Sequence, residues 1–368
     1  MPRALAIVCG VWAVASCSTS QVQPSEPSGT AEPTAVASAQ PAIASTIVVR
    51  EDKYPRHDVF FANGVQSIPE VAYAKPLGFR PLTLDLYLPP KSRPHPVTGF
   101  PLVIYVHGGA WLGGDKRHSG PFVDFPSVLA TLAARGYVVA SIEYRLSGES
   151  KFPAQVQDVK TAIRWLRRHA STYSIDATRA LAWGESAGGH LAALAAVSCG
   201  AAGLEPGQQT PKDASDCVQG AVSWYGTFDL STISKQAREA HAVSREKRDA
   251  PEWQLLGCFA DQCTGEQLAA ASPIRYVDRE DPPMLLIVGN EDSVVPYTQS
   301  LQMSAQLDNA GVHAEMVTLA GIDHGFIGRT PADTRDAALQ AMQSTFRFID
   351  ETIGRPPTPP PVQPASED

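Results

Sequence analysis

Residues 180–197, ALAWGESAGGHLAALAAV, constrain the fold of this chain more than any other stretch. They read as a short apolar strand at 180–183, a tight turn Gly184-Glu185-Ser186-Ala187-Gly188, and a helix of small residues. Gly-x-Ser-x-Gly between a buried strand and a helix is a nucleophile elbow, with the serine on a strained turn and its hydroxyl beyond the strand end. Gly184 and Gly188 carry no Cβ, so strand and helix can close around it. The helix aims its N-terminus at the serine and favours negative charge there. In a Gly-rich loop the same five residues would mean little. Here the strand before and the helix after make Ser186 a candidate nucleophile.

The rest of the body repeats this alternation. Residues 101–106 (PLVIYV), 137–142, 220–225 and 284–288 are continuous apolar runs that fit strands buried on both faces. Residues 71–75 and 82–88 read as an antiparallel hairpin turning near Gly78. From Pro153, a residue suited to a first helical turn, Val156, Val159, Ile163 and Leu166 share one helical face. A helix is expected at 297–307 and a last strand at 315–319. In a final helix Leu339, Met342, Phe346, Ile349 and Ile353 are expected on the buried face. Strands alternating with helices specify an α/β fold, a mostly parallel central sheet with helices on both faces. A length of 368 residues suits two or three domains, yet one α/β body can be this long. The body is taken as 46–354. Residues 228–272 break the alternation and are charged and irregular. They read as a small cap-like insertion over the strand ends, or else as a surface excursion.

A serine hydroxyl needs a base to take its proton and an acid to hold that base. Along the chain the order behind an elbow is serine, acid, histidine. The strand at 284–288 runs into Gly289-Asn290-Glu291-Asp292, and the strand at 315–319 into Gly321-Ile322-Asp323-His324. Both lie at C-terminal strand ends, where open α/β sheets bind ligands. Asp292 is therefore the expected acid and His324 the expected base. Glu291 is the rival acid, read as a solvated loop charge, and Asp323 is read as serving the loop. His57, His95, His118, His169, His241 and His313 read as surface residues, and His190 as packed one turn beyond Ser186. His107-Gly108-Gly109-Ala110-Trp111 follows another strand directly. The backbone N–H groups of Gly109, Ala110 and Ala187 can meet an oxyanion, each worth roughly 3–4 kcal/mol of barrier. His107 then braces the loop. Trp111, Glu185 and Tyr225 are the expected walls of the substrate pocket, with core packing the competing reading of Trp111. This chemistry needs no metal and no organic cofactor, and the cysteine spacing matches no zinc pattern. An imidazole base must be neutral, so activity is expected to fall in acid.

The motifs HGGAW, GESAGGH, GNED and DHGF resemble those of the α/β-hydrolase esterases of the hormone-sensitive-lipase and carboxylesterase type. The likeness is closest to the bacterial group that contains bifunctional feruloyl and acetyl-xylan esterases. LDLYLP at 84–89, SIEYRL at 141–146, FPAQ at 152–155 and ASPI at 271–274 support it, so it covers roughly residues 71–326. The resemblance implies an α/β-hydrolase fold and a serine ester hydrolase working through an acyl-enzyme. It also implies short-acyl or hydroxycinnamoyl esters, free or linked to plant polysaccharide. Ala110 stands where the family has its third glycine. Its N–H survives, but its methyl narrows the pocket against bulky acyl groups and tertiary-alcohol esters. Two other functions fit parts of the pattern. A serine peptidase of prolyl-oligopeptidase type would share Gly188-Gly189 after the serine, although nothing resembles that class's propeller. A non-catalytic surface lipoprotein on a hydrolase scaffold would not need the three residue types that are all present.

The net charge of −8 gives no footprint for nucleic acid. After a lone Arg3, residues 4–15 form an apolar run too short to span a membrane comfortably, as in a signal peptide. It ends in Val14-Ala15-Ser16-Cys17, which resembles the bacterial lipoprotein box and implies lipidation of Cys17, a membrane anchor and an exported envelope protein. Ser18 in place of Asp is compatible with the outer membrane. Ordinary cleavage near Ser16, with secretion, is the other reading. Residues 18–45 are too poor in large apolar side chains to fold and read as a tether. Residues 355–368 read as a disordered Pro-rich tail. Export favours disulfides. Cys199 with Cys217 and Cys258 with Cys263 each bracket one loop, so these pairs are expected, against four free thiols.

Overall fold

Whether a strand is apolar on one face or two decides its place in the sheet. A computed structural model describes residues 57–206, 213–259 and 261–354 of the chain. The leader at 1–17 with Cys17, the tether at 18–45, the start of the body at 46–56 and the tail at 355–368 lie outside them. The described residues fall within one unit, Tyr54–Asp368.

Three strands open the sheet: β1 (Val59–Phe60), β2 (Gln66–Ala74) and β3 (Leu82–Leu88). Then come β4 (Phe100–Val106), α1 (Phe125–Ala134), β5 (Val138–Ile142), α2 (Ala154–Arg168), the single turn α3 (Ala170–Tyr173), β6 (Ile175–Glu185) and α4 (Ala187–Val197). After β7 (Ala221–Trp224) the chain makes α5 (Ile233–Glu239), α6 (Pro251–Leu256) and α7 (Gly265–Ala270). It closes with β8 (Met284–Gly289), α8 (Tyr297–Ala310), β9 (Ala314–Leu319) and α9 (Pro331–Ile349). The sheet order is β1-β2-β3-β5-β4-β6-β7-β8-β9. The pairs from β1 to β5 by way of β3 are antiparallel, and those from β5 through β4 to β9 are parallel.

The apolar runs divide by alternation. Leu102, Ile104 and Val106 of β4 join Val156, Val159, Leu191, Met303 and Leu307 from α2, α4 and α8 on one face. Val103 and Tyr105 join Phe125, Leu129, Met342 and Ile349 from α1 and α9 on the other. A sheet covered on both faces is the expected α/β architecture. The structure joins Cys199 to Cys217 and Cys258 to Cys263, with Cα atoms 5.0 and 5.3 Å apart.

Two local expectations need correction, and one helix is added. The second strand begins at Gln66 rather than Val71, because a register shift between Ile68 and Val71 absorbs Pro69 and Glu70, which break the alternation. Helix α1 is an addition to the expected elements: Phe125, Val128, Leu129 and Leu132 recur at helical spacing, the Asp124 carboxylate caps it and Pro126 sits in its first turn. In α9, Leu339 is 51% exposed. The buried stripe runs through Ala338, Ala341, Met342, Thr345 and Ile349, and Leu339 lies about 100° around the helix from Ala338.

The insertion packs on the loops that leave the C-terminal ends of β5 and β8. The amide of Phe152 donates to Leu255 O at 2.9 Å, the Lys151 ammonium to Gln254 O at 2.9 Å, and the amide of Val243 to Ser293 O at 2.8 Å.

Candidate active site

Parallel strands leave their C-terminal ends on one rim, and β4, β6, β7, β8 and β9 deliver His107, Ser186, Tyr225, Asp292 and His324 there. Ser186 follows β6 immediately and precedes α4. Its φ of 50° is a conformation a serine adopts only when its surroundings enforce it. Here the Ser186 amide donates to Trp224 O at 2.8 Å and its carbonyl accepts from the His190 amide at 2.9 Å. Gly188 lets α4 close on β4: a Cβ there would lie 2.0 Å from Val106 O and 2.5 Å from His107 O.

The structure brings Ser186, His324 and Asp292 into one line. Ser186 Oγ is 3.1 Å from His324 Nε2. His324 Nδ1 is 2.9 Å from Asp292 Oδ2 and 3.2 Å from Oδ1. The Asp292 side chain is fully buried, whereas that of His324 keeps 19% exposure. Asp292 Oδ1 also accepts the amides of Val294 and Val295 at 2.9 and 2.8 Å. Glu291, the rival acid, pairs instead with exposed Arg329 at 2.7 Å. Asp323 accepts the amides of Ser293 at 2.7 Å and His324 at 2.6 Å, so it joins the acid and base turns.

The loop after β4 holds a rare backbone. Gly109, Ala110 and Trp111 all have positive φ, at 105°, 56° and 57°. A side chain at Gly109 would meet Gly113 O at 2.2 Å. Among the described residues the amides of Gly109 and Ala110 have no hydrogen-bond partner, so both remain free to donate. Ala187, at the first position of α4, offers the third N–H. His107 braces the loop as its neighbours suggest. Its ring stacks on Tyr144 at 4.4 Å, and Nδ1 lies 2.7 Å from Gly108 O. Burial lowers its pKa and keeps it neutral.

The expected pocket walls are corrected. Trp111, Glu185 and Tyr225 are 2%, 8% and 2% exposed and form a layer behind the reacting groups. Trp111 packs edge-on against His190 at 5.1 Å. Glu185 Oε2 accepts the hydroxyls of Tyr225 at 2.7 Å and Ser119 at 2.8 Å. Burial raises the Glu185 carboxyl above its usual range, and those hydroxyls pull part of the shift back. The Tyr225 ring meets His324 edge-on at 4.6 Å and backs the imidazole. Burial, followed by the Glu185 charge, pushes the Tyr225 phenol well up. Ser119 escaped the sequence reading, since nothing local to a Gly-rich loop marks it as a partner of Glu185.

The BD-FAE family matches residues 84–307, and the Dienelactone hydrolase family matches residues 263–353. Esterase LipQ of Mycobacterium tuberculosis is 35% identical over 240 residues, 64% of this chain and 51% of LipQ. Esterase LipC of the same organism is 33% identical over 72% of this chain and 64% of its own length. The chain thus spans between half and two-thirds of these two relatives. Carboxylesterase NlhH, also of M. tuberculosis, is 33% identical over 67% of this chain and 68% of its own. Among solved structures, a truncated carbohydrate esterase from gut microbiota has 29% identity and a TM-score of 0.65, covering 78% of this chain and 96% of that one. A propionate-bound esterase from Thermogutta terrifontis has 25% identity and a TM-score of 0.60, covering 76% and 92%.

Proposed function

The chain belongs to the BD-FAE family and has the α/β-hydrolase fold of the serine esterases, and from that premise we propose that it hydrolyses carboxylic esters through Ser186, His324 and Asp292. The observation that carries the proposal is the continuous line from Ser186 Oγ through the imidazole to the buried Asp292 carboxylate.

His324 Nε2 takes the hydroxyl proton as Ser186 Oγ attacks the acyl carbonyl. Asp292 holds Nδ1–H and stabilises the imidazolium. The carbonyl electrons move onto an oxyanion that accepts hydrogen bonds from the amides of Gly109, Ala110 and Ala187, at the positive end of α4. His324 then passes its proton to the departing alcohol. Water, activated by the same imidazole, releases the acid and restores Ser186. The Ala110 methyl favours short or flat acyl groups, acetyl and feruloyl among them. The carbohydrate esterase among the structural relatives supports acyl groups on saccharides as the first substrates to try. The leader motif further supports a lipid anchor at Cys17, and Cys17→Ser should then release the protein from membranes into the soluble fraction.

The deciding experiment is Ser186→Ala assayed on p-nitrophenyl acetate beside feruloyl esters and acetylated xylan. A fall in kcat of about 10⁴-fold or more is expected. Full retention of activity on every ester would overturn the assignment. Cleavage of dipeptidyl amides in preference to esters would instead favour the peptidase reading.

A further inference from the structure

The turn that carries Asp292 is gripped from the insertion. Arg245 is 4% exposed and commits its guanidinium to three oxygens. Nε donates to Glu252 Oε1 at 2.9 Å, one terminal nitrogen to Val243 O at 2.6 Å, and the other to Val294 O at 2.8 Å. Trp253 Nε1 donates to Arg245 O at 2.7 Å and fixes the arginine's own backbone. Beside it, the amide of Val243 donates to Ser293 O at 2.8 Å.

These two contacts bear on Asp292 through covalent geometry. The carbonyl of Ser293 and the amide of Val294 belong to one planar peptide group, as do the carbonyl of Val294 and the amide of Val295. Both amides donate to Asp292 Oδ1. Each peptide that orients the acid is therefore held at its carbonyl end by the insertion, one by Val243 N–H and one by Arg245. A donor on the carbonyl also polarises the peptide and strengthens the bond its N–H makes. The ion pair itself is a poor device for stability. Glu252 is 2% exposed, and its Oε2 has no hydrogen-bond partner among the described residues. Apolar residues of like volume often hold a fold as well as a buried ion pair does.

We propose that Arg245 is a positioning residue for the catalytic acid, and that the insertion acts on the chemical step by fixing Asp292. The proposal rests on the ester-hydrolase reading and adds to it a role for a segment that would otherwise only cover the substrate.

The test is kinetic. Arg245→Met/Glu252→Met removes the pair without leaving a buried charge alone, and Arg245→Lys keeps the charge but loses the planar fork that serves three oxygens at once. With p-nitrophenyl acetate the double variant is expected to lose about tenfold in kcat while KM stays within about twofold. Arg245→Lys should fall between it and wild type. Labelling of Ser186 by a fluorophosphonate should slow in step with kcat. The downfield proton signal of the His324–Asp292 hydrogen bond should weaken in the double variant at an unchanged melting temperature. Arg238→Ala, at an exposed position of α5, should change nothing. Wild-type kcat in a folded double variant would overturn the proposal, as would an effect confined to KM for bulky esters. If the double variant fails to fold, wild-type kcat in Arg245→Lys does the same. Ser186→Ala separates the two levels. Its inactivity beside fully active Arg245 variants sinks this inference alone, whereas its activity sinks the ester-hydrolase reading with it.

Discussion

Asp323 accepts the amide of Ser293 at 2.7 Å, tying together two turns that lie 30 residues apart in the chain. Its other bonds sharpen the tie: Ser293 Oγ donates to Oδ2 at 3.0 Å, and the amide of His324 to Oδ1 at 2.6 Å. The Asp292 turn and the His324 turn are thus joined by a carboxylate that touches the side chain of neither Asp292 nor His324.

Asp323→Ala removes this clamp and should cost about ten- to a hundredfold in kcat/KM on p-nitrophenyl acetate. Asp323→Asn keeps one acceptor oxygen and should lose less. Burial would raise the Asp323 carboxyl, but the bonds from Ser293 and His324 outweigh it and hold the pKa below the ordinary value. A depressed carboxyl stabilises the fold fully above its unfolded pKa of about 4 and loses that stabilisation as the pH falls through the folded value. The gap in melting temperature between wild type and Asp323→Asn should therefore hold from neutral pH to about pH 4 and close below it. A gap unchanged in stronger acid would contradict the clamp.

Glu185 obeys the opposite sign. Burial raises its carboxyl, with the Tyr225 and Ser119 hydroxyls offsetting only part. The folded protein therefore holds the proton where the unfolded chain has released it. Stability falls as the pH rises from the unfolded carboxyl value through the folded one. Glu185→Gln has no such slope, and both hydroxyls can turn to suit an amide. On acidification from neutral pH the wild type should gain stability relative to Glu185→Gln, read from urea unfolding at each pH. Parallel stability curves would show that Glu185 pays no penalty for its charge.

The positions of Ser186, Asp292 and His324 were legible because each lies within five residues of the end of an apolar run, and parallel runs end on a common rim. Asp292 could be preferred to Glu291 on position, and the structure turns Glu291 out to Arg329. The pocket walls were not legible. Glu185 is covered because Ser119, 66 residues earlier, folds onto it, and no local pattern encodes that contact. Arg245 was silent for the same reason, since its target carbonyl lies 49 residues away in a turn of different character. Strand β2 was half missed because a bulge can hide a proline that alternation forbids. Helix α1 does carry Phe125, Val128, Leu129 and Leu132 at i, i+3, i+4 and i+7, so its stripe was present in the sequence, compressed into only ten residues.

Gly188 offers a steric test of the elbow. A methyl there would meet two backbone oxygens, Val106 O and His107 O, and no rotamer change relieves a clash with backbone. Gly188→Ala should push α4 off β4, destabilise by about 3 kcal/mol or more, and separate Ser186 from the oxyanion loop. Activity should then fall further than the folded fraction does. Gly265→Ala is the control, because a methyl there meets nothing within 4 Å and the residue sits in the first turn of α7. Equal behaviour of the two variants in melting and in turnover would refute the close approach.

His190 makes the acid side of the stability profile testable. It is fully buried on α4, its Nε2 lies 2.7 Å from Ala271 O, and burial lowers its pKa to about 4, with that backbone bond opposing the shift. An unfolded histidine titrates at about 6.5, so between these values the unfolded chain binds a proton that the folded protein refuses. Stability is full above about pH 6.5 and declines as the pH falls towards the folded value, by about 2 kcal/mol at pH 5. His107 is shifted the same way by burial and adds to the slope. His190→Gln keeps a donor for Ala271 O and has nothing to titrate. Its stability should lie below wild type at pH 7, and the gap should narrow by about 2 kcal/mol, or change sign, at pH 5. The same gap at both pH values would mean that His190 is protonated in the folded protein, and its seat between Trp111 and the end of the insertion would need another account.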